Sequence, residues 1–118
     1  MKAVLKRLHS PDIDSLPDFK PSDPDSFCFL LQLMVGPEFE DGEESFDIQV
    51  CTPKWILENH RREDVIIGRH YLLVMEYNYE RIQQIISTFC STCHGATWEE
   101  IAEKLGRLGK WEFEDYQD

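Results

Sequence analysis

Hydrophobic and polar positions change rhythm several times along the chain. Residues 26–35 are apolar at nearly every position, which predicts a strand covered on both faces. Residues 45–51 alternate cleanly: Phe46, Ile48 and Val50 fall on one side, Ser45, Asp47 and Gln49 on the other. That is the period of a strand with one wet face. Residues 2–9 alternate less strictly and predict a further strand, stopped by Ser10-Pro11. Residues 12–25 are rich in aspartate and proline, with Pro17, Pro21 and Pro24 spaced along them, and read as an extended surface loop.

Past residue 51 the rhythm becomes helical. Thr52-Pro53 places an N-cap before a proline in the first helical position, predicting a short helix over about 53–60 that buries Trp55 and Ile56. A charged turn occupies 61–64. Val65-Ile66-Ile67 and residues 71–75 are strand-like, with a bend at Gly68 between them. Asn78 is suited to cap a helix over 79–93. Ile82, Ile85, Ile86, Phe89 and Cys93 form its apolar stripe and Gly95 ends it. Thr97 and Glu100 make a capping box for a last helix. Its stripe is Trp98, Ile101, Ala102, Leu105 and Leu108, and Gly109 closes it. Trp111 and Phe113 then alternate with Glu112 and Glu114, as in a short edge strand. The order predicts a single α+β domain over 1–118, with helices packed on one face of a mostly antiparallel sheet.

Composition narrows the function. A chain of 118 residues at 42% hydrophobic can close one core unaided. The formal charge of −11 makes phosphate backbones and anionic membranes poor partners and basic proteins good ones. Of 23 acids, five lie in 12–25, five in 38–44 and four in 112–118. The densest group, Glu38, Glu40, Asp41, Glu43 and Glu44, sits in a turn region bracketed by Gly36-Pro37 and Gly42, between two well-specified strands. Phe39 lies among these carboxylates, where a solvated turn has little evident use for it; it either anchors a partner or folds back onto the sheet. Glu112, Glu114 and Asp115 form a second patch, and Asp12, Asp14, Asp23 and Asp25 a weaker third. Tyr77, Tyr79 and Tyr116 flank charged residues and suit either amphipathic anchors in an interface or packing at the rim. Trp55, Trp98 and Trp111 fall on faces expected to be buried.

Candidate chemistry is sparse. Cys28 and Cys51 lie in strand patterns and Cys90 and Cys93 in a helix pattern, so four buried free thiols are expected. The basic start, residues 1–7, is followed by no apolar run of a signal peptide, and no segment is long enough to span a membrane. A reduced, cytoplasmic location is therefore expected. Cys90-Ser91-Thr92-Cys93-His94 has the C-x-x-C-H spacing that attaches haem, the alternative reading being a metal- or haem-binding protein. A redox role wants such a pair at a helix N-terminus, and this one falls at the C-terminal end. Zinc would need further ligands from Cys28, Cys51, His60 or His70. The acids follow no calcium-loop spacing, and His9, His60, His70 and His94 are scattered. No nucleophile motif or phosphate-binding glycine loop is present. A binding protein is expected, not an enzyme, and no cofactor.

Several segments read together resemble a known family. They are Leu8-His9-Ser10-Pro11-Asp12, Glu43-Glu44-Ser45-Phe46-Asp47, Val50-Cys51-Thr52-Pro53-Lys54-Trp55, Tyr77-Asn78-Tyr79-Glu80, Thr97-Trp98-Glu99-Glu100 and Lys110-Trp111-Glu112-Phe113-Glu114-Asp115-Tyr116. The set resembles the immunity protein 8 family of bacterial polymorphic-toxin and contact-dependent inhibition systems. The resemblance implies a small α+β protein that binds and neutralises a cognate C-terminal toxin domain, with no catalytic residues. Many such toxins are nucleases with basic clefts. The expected partner is thus a basic toxin domain, met by Glu38, Phe39, Glu40, Asp41, Glu43 and Glu44, with Glu112, Glu114 and Asp115 as a second patch.

Overall fold

In a computed structural model, which describes residues 1–114, the apolar alternation becomes the inner face of one sheet. Strands β1 (Ala3–His9), β2 (Cys28–Pro37) and β3 (Glu44–Cys51) pair antiparallel in sequence order. The chain then crosses over through helix α1 (Pro53–Asn59), so that β4 (Tyr71–Leu73) joins β3 in parallel. Helices α2 (Tyr79–Ser91) and α3 (Trp98–Leu105) follow, and β5 (Lys110–Trp111) pairs antiparallel with the start of β3. The result is a mixed five-stranded sheet with helices on one face, an α+β fold.

Phe29, Leu31, Leu33 and Val35 of β2 and Phe46, Ile48 and Val50 of β3 are buried together. Ile82, Ile86 and Cys90 of α2 and Ile101, Ala102 and Leu105 of α3 close over them. The alternate residues Leu30, Gln32 and Met34 are only half-buried, so β2 is covered on one face, not both. The physical reason is that all the larger helices lie on the same side.

Capping chemistry acts as the sequence implies. Thr52, fully buried, accepts from the Trp55 amide at 3.2 Å and from the Phe27 amide at 3.2 Å, tying α1 to the start of β2. Asn78 accepts from the Arg81 amide at 3.0 Å, and Thr97 from the Glu100 amide at 3.2 Å. Glu100 reaches back to the Ala96 amide at 2.9 Å, one residue earlier than a strict capping box.

The ends and faces of the helices depart from expectation. α2 stops at Ser91 with Thr92 as its cap, leaving Cys93 and His94 outside the helix. Gly106, not Gly109, caps α3. Trp55 and Ile56 are half-buried, because α1 buries no residue fully. Ile85 is exposed. Val65, Ile66 and Ile67 form no strand and are also exposed, because β4 and β5 already occupy the outer edge of β3.

Candidate protein-binding surface

The acidic loop 38–44 joins β2 to β3 and is tied down by its own backbone. The Glu38 amide donates to the Lys2 carbonyl at 2.8 Å, and Lys6 Nζ donates to the Glu40 carbonyl at 2.9 Å. Gly36 is needed where the loop folds back: a Cβ there would stand 2.0 Å from the Gly42 carbonyl oxygen. Two residues hold left-handed backbone, Gly42 at φ 102° and Phe39 at φ 67°. The side chain of Phe39 is 96% exposed. It does not fold back onto the sheet.

The loop's charges divide into paired and unpaired. Glu43 meets Arg7 at 2.8 Å and Glu38 meets Lys2 at 3.9 Å, so β1 and the residue before it neutralise two of them. Glu44 accepts from the Trp111 indole N–H at 2.5 Å. Glu40 and Asp41 are exposed and have no ion pair among the described residues. The free negative charge of the loop therefore stands between Phe39 and Gly42, at its tip.

Of the second patch, Glu112 accepts from the Ser45 amide at 3.0 Å, and Glu114 pairs with Arg69 at 2.9 Å. They do not share a strand face, because β5 ends at Trp111 and a turn follows, with the Glu114 amide donating to the Trp111 carbonyl. Asp115 and Tyr116 lie outside the described residues. The pairing of β5 with β3 nevertheless brings this segment against the acidic loop, so the first two patches adjoin.

The third patch belongs to the opposite end of the sheet, where β1 passes into β2. Asp12 accepts from the Leu30 amide at 3.0 Å. Asp23 accepts from the Asp25 amide and pairs with Lys54 at 3.1 Å. The amide first and the ammonium second hold its carboxyl below the usual range. Asp12 and Asp23 shape the loop. Asp14 and Asp25 are exposed there. Tyr77 packs inward and is no interface anchor: its half-buried ring lies among Phe19, Phe27 and Phe29, and its hydroxyl donates to the Leu16 carbonyl.

The cysteines require a correction. Cys28 and Cys51 face each other in register across β2 and β3, with Cα atoms 4.2 Å apart, and are joined as a disulfide. They occupy a non-hydrogen-bonded pair position, where antiparallel strands approach most closely. Cys90 and Cys93 are free and buried. Burial pushes the Cys90 thiol up to about 12 and raises the Cys93 thiol as well, the opposite of what a metal ligand or reactive thiol needs. His94 is exposed, and its carbonyl takes the Lys104 ammonium at 2.5 Å. Among the described residues no three His, Cys, Asp or Glu side chains gather as a metal site would.

A surface feature not foreseen lies beside the acidic loop. Trp98, Trp111 and Phe113 line a groove of about 450 Å3 together with Glu44, Glu99 and Glu103. Periodicity assigned both tryptophans to buried faces; each is half-buried and shows part of its ring. The legible signal was the repeated pairing of Trp with Glu, in Trp98-Glu99 and Trp111-Glu112.

Among the described residues no helix is long and apolar enough to cross a membrane. Residues 3–116 match the family model described as immunity protein 8. No curated protein and no solved structure matches the chain.

Proposed function

The chain belongs to the immunity protein 8 family, and from that premise we propose that it neutralises a basic toxin domain, a nuclease, by stoichiometric binding through its acidic loop. The observation that carries this is Phe39, held 96% exposed beside the unpaired carboxylates of Glu40 and Asp41, on a loop tied to Lys2 and Lys6 at its start and to Arg7 at its end. Glu40 and Asp41 attract a cleft built to hold phosphate, and Phe39 supplies the apolar anchor that tight binding needs. Long-range attraction acts on the association rate and weakens with salt. The role is that of a binder in the cytoplasm of the toxin-producing cell, in a polymorphic-toxin or contact-dependent inhibition system.

The Cys28–Cys51 bridge bears against a reducing compartment, where such bonds are rare. In the cytoplasm the same two sulfurs would face each other as thiols, and the ladder of β2 and β3 does not depend on their bond.

The test is binding kinetics with the toxin domain encoded beside this chain. Reversing Glu40 and Asp41 to lysine should slow association at least about ten-fold at low salt and flatten its salt dependence, with the melting temperature unchanged. Phe39→Gly should speed dissociation while leaving stability equal or higher by up to about 1 kcal/mol, since glycine relieves the left-handed backbone. Unchanged kinetics in both variants would remove the loop from the interface.

A further inference from the structure

The groove beside the loop has a chemistry of its own. Its walls are the rings of Trp98, Trp111 and Phe113, and its rim carries Glu44, Glu99 and Glu103. A second hollow, about 280 Å3, continues it past Glu44 and Trp98 toward Asp41 and Glu43. Among the described residues, no lysine, arginine or histidine lines either one. Glu99 and Glu103 stand one helical turn apart on α3, so they repel each other, and neither has a counter-ion among the described residues.

The rings are held in place by the fold. Trp111 stacks on Phe46 with centroids 6.4 Å apart and planes 11° apart, and meets Phe113 edge-on at 5.6 Å. Its indole N–H is tied to Glu44 at 2.5 Å. The groove therefore combines fixed aromatic surface with carboxylates that lack a cation. A planar guanidinium satisfies both: it stacks on an indole face and forks its N–H groups onto a carboxylate. Lysine, a compact and strongly hydrated charge, uses the aromatic wall less well.

We infer that the groove formed by Trp98, Trp111, Phe113, Glu99 and Glu103 receives an arginine side chain from a basic partner protein. The source of the arginine rests on the toxin-binding reading above; the guanidinium site itself does not. It gives that interface a second point of attachment beside Phe39, one that selects for arginine and so contributes to partner choice.

The experiment titrates the isotope-labelled full chain with a capped Gly-Arg-Gly peptide, following the indole N–H resonances of Trp98 and Trp111. A peptide with citrulline in place of arginine, equal in shape and uncharged, is the control. The arginine peptide should move both indole signals with millimolar saturation, and the citrulline peptide should not. The exposed pair of substitutions Glu99→Gln and Glu103→Gln should weaken arginine binding about five-fold without lowering the melting temperature. Stationary indole signals, or equal shifts with both peptides, overturn the inference. If the groove is silent while the chain still blocks its toxin, the groove alone falls. Should the groove take arginine while the chain binds no toxin, the site stands and the immunity reading falls.

Discussion

Tyr77 shows how one side chain closes a loop that the sequence left open. Residues 10–27 have little secondary structure, yet Leu16 within them is buried and its carbonyl accepts the Tyr77 hydroxyl. Phe19 meets the same ring edge-on at 4.9 Å. Burial first, and the nearby Tyr79 second, push the Tyr77 phenol from 10.0 up to about 12. The sign follows: folding favours the neutral phenol, so this contribution is whole below pH 10.0 and is lost as pH rises through about 12. Tyr77→Phe should cost about 1 kcal/mol through the lost hydrogen bond. It should also flatten the fall in melting temperature above pH 10.0. Melts across that range in both proteins check this, and an equally steep fall in the variant would assign the alkaline instability elsewhere. Flanking charges leave Tyr77 open between an interface anchor and packing at the rim; the chain's return past Leu16 decides for packing against the core. For Phe39 the sequence left two outcomes open, standing out or folding back onto the sheet, and the structure decides between them. An apolar side chain inside a run of carboxylates has few neighbours to bury it, and it stays out at 96% exposure.

At the scale of elements, α2 separates what periodicity merged. Ile85 and Ile86 both fell on its predicted stripe, yet Ile86 is 0% exposed and Ile85 43%. The stripe in the sequence is wider than the face that the sheet can cover. Ile85 turns instead toward a groove of about 220 Å3 lined also by Leu73 and Met75. Ile86→Ala should therefore cost about 3 kcal/mol. Ile85→Ala should cost about 0.5 kcal/mol. Denaturant unfolding of the two variants separates them, and equal losses would mean that Ile85 is buried in solution. The run 65–67 is a similar case. Its β-branched residues favour a strand, but propensity alone does not make one: β4 and β5 take the outer edge of β3, and 65–67 pair with no strand among the described residues. Caps fared better than ends: Thr52, Asn78 and Thr97 cap as expected because a cap is chemistry within three residues.

The whole molecule has a closed face and an open one, with the unpaired Glu40 and Asp41 at the β2–β3 turn end and the bridge at the other. Cys28–Cys51 cross-links a loop with a sequence separation of 23 residues. By chain entropy such a link stabilises by about 3 kcal/mol. Reduction should lower the melting temperature accordingly and add two hydrogens to the intact mass, with the fold kept, because the core of β2, β3, α2 and α3 is independent of the bond. A mass unchanged by reductant would show the thiols already free, as a cytoplasmic chain would keep them.

The sequence by itself determined the three principal strands, the three caps, the α+β class and the acidic loop. Each depends on alternation, period or turn chemistry among near neighbours, where local physics is sufficient. The tertiary structure alone decided the parallel placement of β4, the narrowing of the α2 stripe, the Cys28–Cys51 pairing and the meeting of two acidic segments. It also made the aromatic groove, since Glu44 and Trp111 are 67 residues apart and touch only when β5 pairs with β3. Contacts of that separation depend on which edges and faces remain vacant once the core has closed, and no window of the sequence contains that information.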